Sequence, residues 1–262
     1  MKDAWQSGDP YDLYMGRWSR LVAERFVDWL SPAAELRWLD VGCGTGALSE
    51  AALDRQRPRS LVGIDQSEGF VRSAQRRLGS RAACKVANAM SLPLDDATVD
   101  VAVSGLVLNF VPEPERALGE MRRVCCAGGT VAVYVWDYAG KMDFLNQFWD
   151  AAVELDPNAA ALHEGRRFPD SNAACLTELF VRAGLSRVEA HPIEIVTRFS
   201  GFQDYWQPFL GGQGPAPTYV SKLTEPQRMR LEEALAERLP VAGDGSILLS
   251  ARAWATRGLV PS

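Results

Sequence analysis

The sequence has little of what several classes of protein need. Only two histidines occur in 262 residues, and the five cysteines include no C-x-x-C pair, so the pattern of a zinc site or disulfide framework is missing. No run approaches the roughly 20 consecutive apolar residues of a membrane span, and the first residues lack the apolar stretch of a signal peptide. A formal net charge of -5 argues against general electrostatic binding to nucleic acid. We therefore expect a cytoplasmic protein without a bound metal.

The segment that the chain does offer is rich in glycine. Residues 36–41 form an apolar run that predicts a short buried strand, and helical spacing of apolar residues begins at Ala47. Between them lie Gly42, Gly44 and Gly46. Glycine is needed where the backbone adopts a positive φ or where another group approaches the main chain closely. The following helix start adds N–H donors and partial positive charge, so the segment predicts a bound ligand.

The spacing of these glycines separates two classes of ligand. A dinucleotide-binding turn reads G-x-G-x-x-G and accommodates a pyrophosphate. Here the glycines give G-x-G-x-G, and Asp40 lies two residues ahead of the first. A carboxylate at this point would repel a pyrophosphate but suits a cationic amino group. The pattern therefore counts against a nicotinamide oxidoreductase, which stays an alternative.

Residues 39–46 read Leu-Asp-Val-Gly-Cys-Gly-Thr-Gly and resemble motif I of the class I S-adenosylmethionine-dependent methyltransferases, in the form common in the type 11 (UbiE-like) branch. The resemblance implies that the loop, Cys43 included, cradles the methionine part of S-adenosyl-L-methionine. It also implies that Asp40 serves the amino group of that cofactor. The product of methyl transfer would then be S-adenosyl-L-homocysteine.

Two further segments continue the cofactor pattern. Asp65 ends a predicted strand over residues 60–65, and nucleotide-binding α/β folds place an acid there because two ribose hydroxyls share its oxygens. The resemblance puts Gln66 beside the adenine or the ribose. After a predicted third strand, Asn88 stands before Ala89 where the family has an acid that accepts a hydrogen bond from the adenine. An amide oxygen can still accept that bond.

A fourth predicted strand, residues 99–103, is followed by candidate residues for the transfer itself. Ligands in open α/β sheets bind outside the carboxyl ends of strands. The resemblance therefore implies that Ser104 and Leu106 line the cofactor and that Asn109 approaches the transferable methyl group. Many relatives have a histidine near this point and this chain has none. His163 is the better candidate for a general base, although a surface position is the competing interpretation.

The order of elements predicts an α/β fold. A helix over residues 113–126, closed by Gly128 and Gly129, and a strand over residues 130–136 complete four βα units, which favour a parallel sheet. The resemblance implies a Rossmann-like, mostly parallel seven-stranded sheet in the order 3-2-1-4-5-7-6, with the last strand reversed. Helices would cover both faces, and a helical cap or lid would be added.

The predicted organisation has three parts. Residues 1–35 form an N-terminal helical segment over the cofactor site, where the resemblance brings Tyr14 or Arg20 near the cofactor carboxylate. An equally open interpretation leaves these side chains in packing or in solvent. The remaining parts are the cofactor-binding core, 36–137, and a C-terminal part, 138–262, with strands near 185–197 and 246–256, a helix over 219–239, and substrate-cap insertions at 138–170 and 198–244.

These observations predict a methyltransferase that transfers a methyl group to an oxygen, nitrogen or carbon atom of a small molecule by in-line displacement. Nucleic acid is not expected as a substrate, and the protein is expected to be a monomer or homodimer. A non-catalytic protein that binds the same cofactor, or serves as a partner of another enzyme, remains an alternative because a general base is not evident.

Overall fold

The computed structural model describes residues 12–211 and 214–262, and a seven-stranded sheet runs through them. The strand order is β3-β2-β1-β4-β5-β7-β6, the order that the resemblance implied. The strand pairs β1–β2, β1–β4, β2–β3 and β4–β5 are parallel, and β5–β7 is antiparallel. The strands are β1 (Arg37–Val41), β2 (Ser60–Asp65), β3 (Ala83–Val86), β4 (Val99–Gly105), β5 (Cys125–Trp136), β6 (Ser186–Phe199) and β7 (Ile247–Leu259).

Helices connect the strands in the manner of repeated βα units. The α-helices are α1 (Arg17–Leu30), α2 (Ala47–Gln56), α3 (Glu68–Leu78), α4 (Pro114–Val124), α5 (Asp143–Leu155), α6 (Glu164–Arg167), α7 (Ala173–Arg182), α8 (Phe202–Trp206), α9 (Pro215–Val220) and α10 (Glu225–Arg238). A π-helical turn, Asp12–Gly16, precedes α1. Short 3₁₀ turns lie at Gly79–Arg81, Leu108–Phe110, Pro157–Ala161 and Gln207–Gly211. None of these helices is long and apolar enough to cross a membrane.

The register of the central strands decides where a ligand can bind. Val41 of β1 pairs with Ile64 of β2, and Asp40 pairs with Val103 of β4. All three strands run in the same direction, so their carboxyl ends reach the same edge of the sheet. The loops that follow β1, β2 and β4 therefore meet there, at the edge where open α/β sheets bind ligands.

The prediction for the start of β5 was wrong. The helix expected through Cys126 ends at Val124, and the strand begins at Cys125 rather than at Thr130. Cys125 pairs with Val99, whereas the next recorded pair joins Thr130 to Val101, so β5 has extra residues at this point. The glycine pair that was expected to end the helix lies within this irregular stretch, where glycine tolerates the bend of a bulged strand.

The long helix predicted over residues 219–239 was also wrong. α9 ends at Val220 and α10 begins only at Glu225. A capping box between Thr224 and Gln227 starts α10, and a proline occupies its first turn. Such a cap satisfies backbone donors that a continuous helix would have paired internally, and proline at this position has no N–H to satisfy.

The chain divides into two compact units. The first, here called the core unit, comprises residues 19–136, 170–193 and 253–262. A mainly aliphatic cluster of buried residues packs on the central strands, which are themselves buried as parallel strands usually are. This unit contains the glycine loop and every predicted cofactor residue except Tyr14.

The second unit, here called the insertion unit, comprises the described residues up to Trp18 together with 137–169 and 194–252. The two segments predicted as insertions fall almost wholly within it. Its interior is aromatic: Phe148 stacks on Phe209 with ring centroids 4.5 Å apart, and Tyr205 lies 5.3 Å from Phe209. Such ring pairs contribute stability beyond the area that they bury.

Candidate functional site

The glycine loop between β1 and α2 adopts the conformation that its sequence predicts. Gly42, Gly44 and Gly46 all have left-handed φ values, +76°, +53° and +89°. A Cβ atom added at Gly42 would lie 2.7 Å from the side chain of Val107, whereas one added at Gly44 would meet no described atom within 4 Å. The loop thus packs tightly on one side and leaves open space at Gly44.

Backbone hydrogen bonds hold this loop on the second strand. The amides of Gly42 and Cys43 both donate to the carbonyl oxygen of Ile64 at 2.8 Å, and the amide of Gly46 donates to the carbonyl of Cys43 at 2.8 Å. The carbonyl of Gly46 accepts from the amide of Glu50, the first intrahelical bond of α2. The turn is therefore fixed before any ligand binds.

Asp40 lies beneath this loop as a buried carboxyl group with one spare oxygen. It is fully buried, and its Oδ2 accepts a hydrogen bond from Ser49 Oγ at 2.6 Å. Its Oδ1 has no hydrogen-bond partner among the residues that the structure describes. Burial raises the pKa of Asp40 to about 7, and the nearby charge of Asp65 adds to the rise, against the lowering effect of the Ser49 hydrogen bond.

Asp65, at the end of β2, ties the second strand to the glycine loop. Its Oδ2 accepts from the amide of Gly44 at 3.1 Å and its Oδ1 accepts from the amide of Ser67 at 2.8 Å. Burial raises the pKa of Asp65, and these two hydrogen bonds oppose the rise. Each carboxylate oxygen retains lone-pair capacity for a further donor.

The residues expected to contact the adenine lie at the sheet edge after β2 and β3. Gln66 and Asn88 are both exposed, and Ala89 is half-buried. The Oδ1 atom of Asn88 accepts a hydrogen bond from the amide of Met90 at 2.9 Å. This bond fixes the amide orientation of Asn88 and leaves one lone pair for an adenine amino group, so the adenine role of Asn88 stays a prediction.

The loop after β4 contains two unusual features. Leu106, next to the buried Ser104, has a φ of +60°, a left-handed conformation that non-glycine residues seldom adopt. The amide of Leu106 donates to the carbonyl of Tyr134 at 2.7 Å, which holds the strained residue in place. Both polar atoms of the Asn109 side chain are buried without a partner among the described residues. Strain and unsatisfied polar groups concentrate at functional sites.

The N-terminal candidates differ in position. Tyr14 belongs to the insertion unit, is almost fully buried, and has a hydroxyl group without a partner in the described part of the chain. Its ring meets Phe209 edge to face at 5.6 Å. Arg20 belongs to the core unit and is half-buried in α1. The contact of either residue with the cofactor carboxylate stays a prediction.

His163, the candidate base, lies in the insertion unit at the start of α6. Its Nδ1 accepts from the amide of Gly165 at 3.0 Å, and its ring stacks on Trp149 with centroids 6.1 Å apart. Burial lowers the pKa of His163, so the neutral ring is favoured. A neutral ring with Nδ1 already accepting carries its proton on Nε2, which suits His163 to donate a hydrogen bond rather than to remove a proton.

Several residues near these sites were not singled out by the sequence. Ser49 donates a hydrogen bond to Asp40. The sequence could have indicated this role only through the position of a polar residue on the buried face of a helix. In the insertion unit the carboxylate of Glu164 is only 4% exposed and accepts a hydrogen bond from Trp149 Nε1. No pattern marked Glu164, because a charged residue next to two arginines reads as a solvated surface.

Comparisons with known proteins agree with this geometry. A family model described as a methyltransferase domain matches residues 39–133. A malonyl-[acyl-carrier protein] O-methyltransferase of Geobacter sulfurreducens is 30% identical over 178 residues, which cover 67% of this chain and 62% of that protein. A ubiquinone/menaquinone biosynthesis C-methyltransferase of Dinoroseobacter shibae is 32% identical over 127 residues, 47% of this chain and 51% of that protein. The chain thus spans between half and two thirds of these two curated relatives.

A solved structure extends the likeness to the whole fold. The crystal structure of a putative methyltransferase from Bacillus halodurans superposes with a TM-score of 0.61 at 14% identity, covering 92% of this chain and 99% of that one. Such identity shows the fold alone. The cofactor of this family is S-adenosyl-L-methionine, and the spare oxygen of Asp40 and the open space at Gly44 fit its amino-acid end. Residues 39–133 therefore form a methyltransferase domain similar to the type 11 branch of the class I S-adenosylmethionine-dependent methyltransferases.

Proposed function

We propose that this protein transfers a methyl group from S-adenosyl-L-methionine to an oxygen, nitrogen or carbon atom of a small-molecule acceptor. The observation that carries the proposal is the buried Oδ1 of Asp40, which has no partner among the described residues and lies beneath a fixed glycine loop. A buried anionic oxygen is costly unless a donor reaches it. The amino group of the cofactor supplies such a donor.

The core unit holds the cofactor through groups that are already ordered. Asp40 serves the amino group of the cofactor, and the open space at Gly44 admits its amino-acid end. Asp65 serves the ribose hydroxyls through its remaining lone pairs. Gln66 and the Asn88–Ala89 segment serve the adenine end, and Ser104 and Leu106 line the site after β4. The cofactor supplies a methyl group activated by positive sulfur, which the acceptor atom displaces in line with the S–C bond.

Asn109 is the residue best suited to contact the acceptor in the core unit. Its side-chain N–H and C=O groups are buried and have no partner in the described part of the chain. Leaving both unsatisfied costs free energy that an acceptor hydrogen bond would recover. Alignment of acceptor and methyl group, rather than acid–base chemistry, supplies most of the rate when the methyl group is already activated.

The insertion unit, taken by itself, contains groups that suit a particular class of acceptor. Glu164 and Tyr14 place a carboxylate and a hydroxyl group inside an aromatic interior. The charge of Glu164 raises the pKa of Tyr14, after the larger effect of burial, so the two groups lie within electrostatic reach. This interior favours an acceptor with an apolar body and an N–H or O–H donor. The relatives methylate different atoms, as the names O-methyltransferase and C-methyltransferase state. We assign the choice of target atom in this protein to the insertion unit.

The protein is further proposed to act in the cytoplasm as a monomer or homodimer. All five cysteines are free thiols, which fits a reducing compartment. The net charge of -5 favours a small molecule over nucleic acid as acceptor.

The test begins with calorimetric titration of the purified protein with S-adenosylhomocysteine, NAD and NADP. Binding of S-adenosylhomocysteine alone, at micromolar concentration, is the expected result. An acceptor screen that measures production of S-adenosylhomocysteine then tests turnover, with Asp65→Ala as the binding-deficient control. Binding of a nicotinamide cofactor would overturn the proposal. Tight binding of S-adenosylhomocysteine without turnover across amine, phenol, acid and quinol acceptors would favour the non-catalytic alternative.

A further inference from the structure

Two thiols of the core unit lie close to the point that a side chain at position 63 of β2, a glycine, would occupy. A Cβ atom added at Gly63 would lie 3.1 Å from Cys43 Sγ and 3.6 Å from Cys84 Sγ. Cys84 pairs directly with Gly63 in the sheet. Cys43, in the glycine loop, donates its amide to the carbonyl of the neighbouring Ile64. The missing side chain at Gly63 is therefore what allows the two sulfur atoms to approach each other.

We propose that Cys43 and Cys84 form a peroxide-sensitive dithiol whose oxidation to a disulfide weakens cofactor binding. Formation of the disulfide depends only on the two thiols. Its effect on affinity rests on the proposed cofactor site, since Cys43 lies within the glycine loop.

The two cysteines are suited to different steps. Cys84 is half-buried on β3, an edge strand of the sheet, so a small oxidant can reach it. The Cys43 thiol donates a hydrogen bond to Cys84 and so lowers the pKa of Cys84, whereas that same bond and then burial raise the pKa of Cys43. The reactive thiolate must also be reached by the oxidant, so the more exposed Cys84, rather than the buried Cys43, is the residue that reacts first.

The reaction balances with hydrogen peroxide as the oxidant. The Cys84 thiolate attacks one peroxide oxygen and breaks the O–O bond, which gives a sulfenic acid and hydroxide. The Cys43 sulfur then attacks the sulfenic sulfur, its proton leaves with the hydroxyl group as water, and the S–S bond forms. Two thiols and one peroxide thus yield one disulfide and two waters.

The disulfide would act directly on the cofactor loop. Cys43 lies between Gly42 and Gly44, whose left-handed conformations shape the turn. The amide of Cys43 donates to the carbonyl of Ile64, and the amide of Gly44 donates to Asp65. A bond that draws Cys43 across Gly63 toward Cys84 shifts these donors, so affinity for the cofactor should fall.

The experiment compares the reduced and the peroxide-treated protein. Cleavage after lysine and arginine places Cys43 in the peptide 38–55 and Cys84 in the peptide 82–85, each with a single cysteine. Mass spectrometry without reduction should find these two peptides linked. Calorimetry should show at least a tenfold loss of affinity for S-adenosylhomocysteine, and a thiol reductant should restore it.

Variants separate this effect from general oxidation. Cys84→Ser should bind S-adenosylhomocysteine as the reduced protein does and keep that affinity after peroxide. The matched control Cys175→Ser removes a half-buried thiol elsewhere and should remain sensitive. Peptides that stay unlinked while Cys84 is oxidised would refute the dithiol, and so would equal losses in Cys84→Ser. A linked pair with unchanged affinity would refute its effect on the cofactor, whereas failure of the reduced protein to bind would refute the proposed function instead.

Discussion

Replacement of Asp40 by asparagine tests the cofactor site through two measurements that should move in opposite directions. Asp40 is buried, one of its oxygens has no partner among the described residues, and burial raises its pKa to about 7. An unfolded aspartate has a pKa of about 3.9. The folded form therefore holds its proton over a pH range in which the unfolded form has lost it, so the free energy of unfolding falls as pH rises from about 4 to about 7.

The size of the effect follows from this difference. Three pKa units correspond to about 4 kcal/mol of destabilisation above pH 7. Asparagine removes the charge, but it places an N–H group where Asp40 Oδ1 has no partner in the described part of the chain, which costs about 1–3 kcal/mol. Asp40→Asn should thus raise the free energy of unfolding at pH 8 by roughly 1–3 kcal/mol. This advantage should disappear on acidification toward pH 4.

The same substitution should weaken binding of S-adenosylhomocysteine by roughly tenfold to a hundredfold, because a charge-assisted hydrogen bond is lost. In the unsubstituted protein affinity should rise with pH through about 7, as Asp40 gives up its proton.

Urea unfolding at pH 5 and pH 8, with calorimetry at the same two values, measures both effects. Asp54→Asn, which changes an exposed carboxylate of α2, is the matched control and should alter neither quantity appreciably. An Asp40→Asn protein that is less stable at pH 8 would refute the buried-charge argument. Unchanged affinity would refute contact with the amino group.

Four further substitutions, and a control for one of them, test other parts of the site. Asp65→Ala should weaken binding of S-adenosylhomocysteine by about 1–3 kcal/mol in calorimetry, and unchanged affinity would contradict its ribose role. Gly42→Ala, at a φ of +76° and 2.7 Å from a valine side chain, should lower the free energy of unfolding by about 2–4 kcal/mol in urea. Gly119→Ala, in open space within α4, should instead leave it unchanged or slightly raised. Asn109→Ala should reduce turnover about tenfold, the equivalent of one hydrogen bond, with unaltered cofactor affinity; a matching loss of affinity would place Asn109 on the cofactor. His163→Ala removes the proposed Nε2 donor and should lower turnover with unaltered cofactor affinity, and unchanged turnover would remove His163 as a candidate for the reaction.

The core of the fold could be predicted because its signals are local. The strand of residues 60–65 and the helix that begins at Ala47 appear as their patterns predict. The glycines at 42, 44 and 46 adopt positive φ values, as the G-x-G-x-G turn requires. Each of these features depends on residues adjacent in sequence, and the strand order followed from the family resemblance.

Other features depend on partners distant in sequence and could not be predicted from it. Gly128 and Gly129 carry the usual signal for the end of a helix, yet their backbone groups hydrogen-bond to Val260, far along the chain. The strand already begins before them, where Cys125 pairs with Val99 of β4. The break before α10 did have a local signal, the capping box from Thr224 to Gln227, but apolar periodicity on both sides obscured it. The burial of Glu164 depends on Trp149, which lies on a different helix.

The strained backbone at Leu106 has a consequence for attempts to improve this protein. A leucine in the left-handed region costs about 1–2 kcal/mol, and glycine would relieve that strain at some cost in the entropy of the unfolded chain. Selection for heat resistance alone would therefore favour Leu106→Gly. Such a variant would lose the side chain proposed to line the cofactor, so directed evolution here should select for thermal tolerance and methylation together.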